Sequence, residues 1–375
     1  MKSRVWEEIS YNNLKHNLET IKGYAKEKTL ICIVKDNAYG MGAVKIAKFL
    51  ESDERVVAFA VATLDEAIEL KRNNITKDII IIGHIDTDAF VIAVENNIIV
   101  TISSFDKAYM LDQVAKKLGK VARIEIAIDT GMGRIGFEVN DNSLKSIKDI
   151  HNLSNINIYG MFSHFSVADC DFDDSENANY TREQEKKLLL LVNKLKENGI
   201  EISNTSISAS AGLIKGNGAN FSSVRPGIIL YGIVPSKAFA DIDIKPIMSL
   251  KSRIVHIKDI SENVSISYGR TFVSKNNMTV ATISCGYGDG YPRTASNKAY
   301  VIINDKKCKV IGRVTMDMFM VDVTGVKCEE GDEVILIGES EHEKITLDEL
   351  CSITNEFTYE ILTRINWRVE RIYID

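Results

Sequence analysis

A lysine at the carboxyl end of an apolar strand is the first residue of this chain that could do chemistry. Ile31-Cys-Ile-Val34 reads as a short buried strand and Lys35 follows it. Asn37, Gly40 and Gly42 then turn the backbone before a helical stretch that starts at Ala43. Folds that alternate strands and helices place their chemistry on the rim where the strands end. Partial desolvation there depresses a lysine pKa and makes the amine a nucleophile or a base. On position alone, a lysine that merely flanks a strand is the commoner outcome. Tyr39 strengthens the chemical reading, because its phenol could reach a phosphate held on the same rim.

Asp129-Thr-Gly-Met-Gly-Arg-Ile-Gly136 follows another apolar run and contains G-x-G-x-x-G at Gly131, Gly133 and Gly136. A dinucleotide fingerprint belongs after a first strand, with an acidic residue further on for the ribose. Here it follows the fifth strand candidate, and the next one (156–163) ends in Ser163-His164, so a nicotinamide site is disfavoured. The chemically useful residue is Arg134, whose planar fork can grip a carboxylate or a phenolate; a solvated loop arginine is the plain alternative. His164 by itself reads as a core histidine. The six histidines show no metal-ligand spacing, so no metal is expected. Ser210 and Arg225-Pro-Gly-Ile228 close the seventh and eighth strand candidates, where barrels often hold phosphate on helix N-terminal amides. Ser210 and the amides of Gly227 and Ile228 would make the cradle, with Tyr39 and Tyr359 adding hydroxyls.

The elements that must position these residues follow a regular rhythm. Strand candidates fall at 30–34, 56–62, 78–82, 98–102, 121–128, 156–163, 204–209 and 221–225. Helical spacing falls at 11–27, 43–52, 64–73, 86–96, 105–118, 143–153 and 182–198, with a short helix at 211–216. This alternation fits a (β/α)8 TIM-type barrel, and periodicity leaves an open doubly wound sheet as the alternative. From about 248 the chain turns to short alternating strands (253–258, 279–285, 299–303, 308–313, 318–323, 333–337 and 368–374) with helical spacing near 347–363. The expected organisation is an α/β barrel over 1–235 followed by a mostly β domain over 236–375, with residues 1–10 free to pair with the second domain.

A net charge of −6 without a basic stripe argues against nucleic acid. No apolar run reaches the roughly 18 residues of a membrane span, and no signal-peptide core follows Met1. The six cysteines form no CxxC pair and read as small buried hydrophobes in a reducing compartment. A cytoplasmic protein is expected.

Val34-Lys-Asp-Asn-Ala-Tyr-Gly-Met-Gly42 resembles the signature of the alanine racemase family, departing at Asp36 and Met41. The family's D-T-G-M-G-R-I-G string is present at 129–136. Its V-R-x-G-I string falls at 224–228, and further matches lie at Ser267-Tyr-Gly-Arg-Thr271, Cys285–Arg293, Gly312–Asp317 and Phe357–Arg364. The resemblance implies a pyridoxal 5'-phosphate (PLP) enzyme with a barrel and a β domain, interconverting L- and D-alanine and supplying D-alanine for peptidoglycan. Lys35 would carry the cofactor and serve one face of the substrate. Tyr268 would be the base on the other face, contributed by the second subunit of a homodimer with shared active sites. The resemblance puts Arg225 against the pyridine nitrogen with His164 beside it, and Tyr39, Ser210, Gly227, Ile228 and Tyr359 around the phosphate. Arg134 and the Met316 amide would take the substrate carboxylate, with Tyr287 lining the way in. Free tyrosine ionises near pH 10, so Tyr268 would need nearby cations such as His164 and Arg225. Many members carry a carbamylated lysine where this chain has Ala127, so a chloride, a water network or a carboxylate is expected beside a buried Arg134. A serine or broad-specificity racemase of the same family is the alternative.

Overall fold

The apolar runs of the first half form the parallel strands of a barrel in the computed structural model, which describes residues 3–375. The strands are β2 (Thr29–Ile33), β3 (Val56–Val61), β4 (Asp78–Ile81), β5 (Ile99–Ile102), β6 (Ala122–Asp129), β7 (Ile156–Phe162), β8 (Asn204–Ser206) and β9 (Ser223–Val224). They pair in parallel, in chain order, from β2 to β8, with β9 beside β2. The Arg225 N–H donates to the Ser208 carbonyl at 2.9 Å and joins the last two strands, closing the barrel. Buried on both sides, such strands read as almost unbroken apolar runs; Ala58 to Val61 and Ile79 to Ile81 are wholly inaccessible.

The helices between them are α1 (Tyr11–Ala25), α2 (Ala43–Leu50), α3 (Leu64–Arg72), α4 (Phe90–Glu95), α5 (Phe105–Leu118), α6 (Asp141–His151), α7 (Ser175–Glu197) and α8 (Ser210–Ile214). Side chains satisfy their free N-terminal amides. Thr63 and Glu66 form a capping box on α3, and Ser104, Asn140 and Asp174 cap α5, α6 and α7. α7 starts at Ser175 rather than at 182, because the Asp174 cap starts a turn that has no apolar periodicity to reveal it. The expected helix over 86–96 is a 3₁₀ turn, Thr87–Ala89, running into α4.

The second half is mostly β. It comprises β10 (Met248–Ile260), β11 (Met278–Ile283), β12 (Tyr300–Ile303), β13 (Lys306–Ile311), β14 (Phe319–Asp322), β15 (Glu333–Glu339), β16 (Lys344–Ile345), α9 (Leu347–Thr354), α10 (Thr358–Arg364) and β17 (Glu370–Ile374). The segment near 347–363 is two helices, because Asn355 adopts the left-handed conformation (φ 55°) that ends α9. The N-terminal strand β1 (Val5–Ser10) pairs antiparallel with β10 and parallel with β17.

The chain divides into two units. One comprises Leu14–Ala38 and Ala43–Lys245; the other comprises the described residues through Asn13, Tyr39–Gly42 and Pro246–Asp375. Among the described residues no helix is long and apolar enough to cross a membrane.

Candidate active site

Lys35 leaves β2 while the strand is still held, the Val34 N–H donating to the Ala60 carbonyl at 2.9 Å. The next four residues make a left-handed turn, with φ of 53°, 52°, 56° and 53° at Asp36, Asn37, Ala38 and Tyr39. Each non-glycine residue in that region costs roughly 1–2 kcal/mol, so the surroundings must hold it. The Ala38 N–H donates to the Val34 carbonyl at 2.9 Å, and the Asn37 side-chain oxygen accepts from the Ala43 N–H at 2.9 Å, where α2 begins. Glu66 accepts from the Asp36 N–H, and from the Ala62 and Thr63 N–H groups at 2.8 and 3.1 Å. Partial burial depresses the Lys35 pKa, and the Arg134 charge adds to this against the opposing pull of Glu66 and Asp36. A half-buried amine with a lowered pKa is a usable nucleophile and base.

Arg225 is 3% exposed and makes no ion pair among the described residues. Nη1 donates to the Ser206 hydroxyl at 2.5 Å. Nη2 donates to the Ser163 carbonyl, to His164 Nδ1 at 3.4 Å and to the Ile207 carbonyl at 3.5 Å. The guanidinium also lies over the Phe162 ring, 4.9 Å from its centroid. Both terminal nitrogens are therefore occupied, and Nε makes no hydrogen bond among the described residues. Burial lowers the Arg225 pKa to about 10, which leaves it charged at neutral pH. Burial, then the charges of Arg225, Arg134 and Lys35, push His164 down to about 3. His164 is thus a neutral imidazole accepting at Nδ1. This corrects the expectation that it supplies a positive charge to Tyr268.

Ser210 opens α8 and is buried, and its hydroxyl accepts from the Gly227 N–H at 3.2 Å. A 3₁₀ turn, Ile228–Tyr231, starts immediately beyond, and Tyr231 donates to the Ile33 carbonyl of β2 at 2.7 Å. Ser210, Gly227 and Ile228 thus come together next to the Arg225 strand end. Arg134 is exposed and has no ion pair among the described residues, while Ala127 is 1% exposed. The cost of a buried guanidinium, from which a replacement anion was expected, does not arise within this chain.

The second unit collects the remaining expected residues. Tyr39 meets Tyr359 edge-on, with ring centroids 5.9 Å apart, and Tyr359 stacks on Phe357 at 4.7 Å. Arg371 donates to the Gly40 carbonyl and Tyr373 to the Met41 carbonyl at 3.0 Å, which anchors the turn carrying Tyr39. Tyr287 and Met316 share a loop pair: the Tyr287 N–H donates to the Thr315 carbonyl at 3.0 Å and the Gly288 N–H to the Met316 carbonyl at 2.8 Å. Arg368 bridges those loops through Asp289 at 3.3 Å and Asp317 at 2.6 Å. Tyr268 stands between two left-handed residues, Ser267 (φ 64°) and Gly269 (φ 72°), and is 72% exposed.

Two residues near the site escape the motif reading. Glu66, which holds the turn after Lys35, looks like an ordinary capping-box residue. Glu125 lies in the apolar run Ala122-Arg-Ile-Glu-Ile-Ala-Ile-Asp129 and is 1% exposed. A carboxyl inside a parallel strand was the available signal for it.

Residues 9–235 match the family model described as the alanine racemase N-terminal domain, and residues 247–373 match the C-terminal domain of the same family. The alanine racemase of Clostridium novyi is 41% identical over 374 residues, covering 99% of this chain and 95% of the relative. The solved alanine racemase of Clostridium difficile is 36% identical with a TM-score of 0.93, covering 100% of this chain and 96% of its own. That of Bartonella henselae, described with covalently bound pyridoxal phosphate, is 28% identical with a TM-score of 0.86, and both chains are fully covered. A barrel with a basic rim, followed by a β-rich unit, and these whole-length likenesses lead to one conclusion: the chain belongs to the alanine racemase family and is an amino-acid racemase, an isomerase.

Proposed function

We propose that the chain interconverts L- and D-alanine with PLP held at the barrel rim, in a homodimer whose subunits share active sites. The observation that carries this reading is Arg225, a buried charged arginine with no acid in contact and its Nε unbonded. It sits beside a neutral His164, in the barrel that also holds a lysine of depressed pKa. A pyridine nitrogen facing Nε would complete that donor set, and Ser210 with the Gly227 and Ile228 amides, Tyr39 and Tyr359 would take the phosphate. PLP, when bound, supplies an aldehyde that condenses with amines and a ring that acidifies the substrate's Cα–H.

The remaining chemistry belongs to the protein. Lys35 would hold PLP through its amine, and that amine would take or return the Cα proton on one face. Tyr268, supplied by a second copy, would do the same on the opposite face, since two groups on opposite sides are the simplest way to remove a proton from one face and return it to the other. Arg134 and the Met316 amide bind the substrate carboxylate, with Tyr287 at the approach. Arg225 stays charged and would therefore disfavour a proton on the ring nitrogen of bound PLP, which would limit electron withdrawal and favour proton exchange over side reactions. The use we propose is supply of D-alanine for peptidoglycan from the cytosol.

Lys35→Ala tests the reading. The wild type should bind PLP with visible absorbance and racemise alanine faster than serine or lysine, and the variant should lose both absorbance and turnover. A variant that keeps both, or a wild type that prefers serine, refutes the corresponding part.

A further inference from the structure

Glu125 takes no part in the chemistry described so far, yet it is the carboxyl group whose field reaches Arg225. It lies mid-strand on β6 with Oε2 inaccessible and without a hydrogen-bond partner. In register it stands beside Thr101 of β5 and Gly160 of β7, and neighbours in register project to the same face of a sheet. The Thr101 hydroxyl is also buried and without a partner. A Cβ at Gly160 would lie 2.8 Å from the Asn204 carbonyl, which requires glycine there, and 3.4 Å from Glu125 Oε1, so the carboxyl lies against the Gly160 backbone. Every acceptor on Arg225 is neutral: the Ser206 hydroxyl, the Ser163 and Ile207 carbonyls, and the His164 ring. A buried guanidinium needs a compensating charge, and Glu125 is placed to provide it from within the barrel without contact.

We propose that Glu125 is a positioning residue for the racemisation site, its ionisation setting the field that Arg225 presents to the ring nitrogen of bound PLP. The inference rests on the PLP reading of the site. With Glu125 ionised, the acid–arginine pair is close to neutral. With it protonated, the guanidinium charge stands uncompensated and pulls harder on the ring. Burial pushes the Glu125 pKa up to about 7 against the pull of Arg225, so this change falls in the neutral range. The other ionisable groups facing it titrate elsewhere or are paired. Tyr159 on β7 is pushed up to about 12, and His164 at the end of β7 is down at about 3. Arg123 on β6 is held by Asp78 of β4 at 2.5 and 2.7 Å and lies over the Tyr159 ring. From the rim, Arg134 adds a positive charge that acts on Arg225.

The test uses full-length protein loaded with PLP, as wild type, Glu125→Gln and Glu125→Asp. The visible absorbance of bound PLP is followed across neutral pH, with kcat and KM measured separately. The wild type should show an inflection with a midpoint near 7 in absorbance and kcat. Glu125→Gln should lose it, and Glu125→Asp should keep one at a displaced pH. Superimposable wild-type and Gln profiles overturn the proposal. If the Gln variant does not fold, an Asp midpoint identical to that of the wild type overturns it instead. A wild type that binds no PLP defeats the reading of the site, a failure distinct from these.

Discussion

Replacing Glu7 by glutamine should flatten the pH dependence of stability. Glu7 lies on β1 in register with Leu250 of β10 and Arg371 of β17, is wholly inaccessible, and has no hydrogen bond to either carboxyl oxygen. Arg371 Nε lies 3.4 Å away, but its donors are committed to the Gly40 carbonyl and to the Ile365 carbonyl at 3.3 Å. Burial therefore outweighs the arginine, and the Glu7 pKa rises from 4.5 to about 8. The folded state keeps this proton where the unfolded chain has lost it. The stabilisation is complete below about pH 4.5, is lost as pH rises to about 8, and does not change further above that. At about 1.36 kcal/mol per pH unit, a rise from 4.5 to about 8 amounts to roughly 5 kcal/mol across the window. Denaturant unfolding of wild type and Glu7→Gln at a series of pH values should show wild-type stability falling more steeply by about 1.4 kcal/mol per pH unit between those limits. The slope is the quantity to compare, because a buried amide leaves donors of its own unsatisfied at every pH. Parallel curves for the two proteins would show that Glu7 is ionised in the folded state, and the burial argument would be wrong.

Gly40→Ala should destabilise the chain by about 1–3 kcal/mol and weaken PLP binding, because the residue has φ +93° and a Cβ would come within 2.6 Å of the Leu362 carbonyl. Thermal melts with and without PLP measure both effects, and an unchanged melt would mean that the loop before α2 yields freely. Tyr268→Phe should lower kcat for alanine by roughly 10²–10⁴, the range for one general acid–base group. Solvent-deuterium incorporation at Cα should become unequal for the two enantiomers, and equal loss for both would argue against a base serving one face.

The order of strands and helices was legible in the chain because it depends on local pattern. The eight parallel strands fall close to the apolar runs, and Lys35 and Arg225 follow strand ends as their spacing implies, whereas the strand before Ser210 stops at Ser206 and Ser210 opens α8 instead. The turn after Lys35 was legible only as a turn. Asn37, Gly40 and Gly42 mark a break, but Asp36, Ala38 and Tyr39 have no intrinsic preference for the left-handed region. Glu66, which holds the turn at Asp36, comes from α3, beyond the following helix and strand.

Residue types and their spacing determined the alternation of strands and helices and the strings that carry Lys35, Arg225 and Tyr268, while closure of the strands into a barrel was decided by their pairing. Tertiary structure alone decided the charge each group bears. His164 is neutral because burial disfavours its charged form and Arg225, distant in sequence, is brought against it. Glu7 and Glu125 have raised pKa values because burial disfavours their charged forms and few donors reach them. The long-range packing also leaves Arg134 exposed where a buried cation was expected. Local pattern records which side chains are present. Their protonation depends on burial and on charges that only folding brings close.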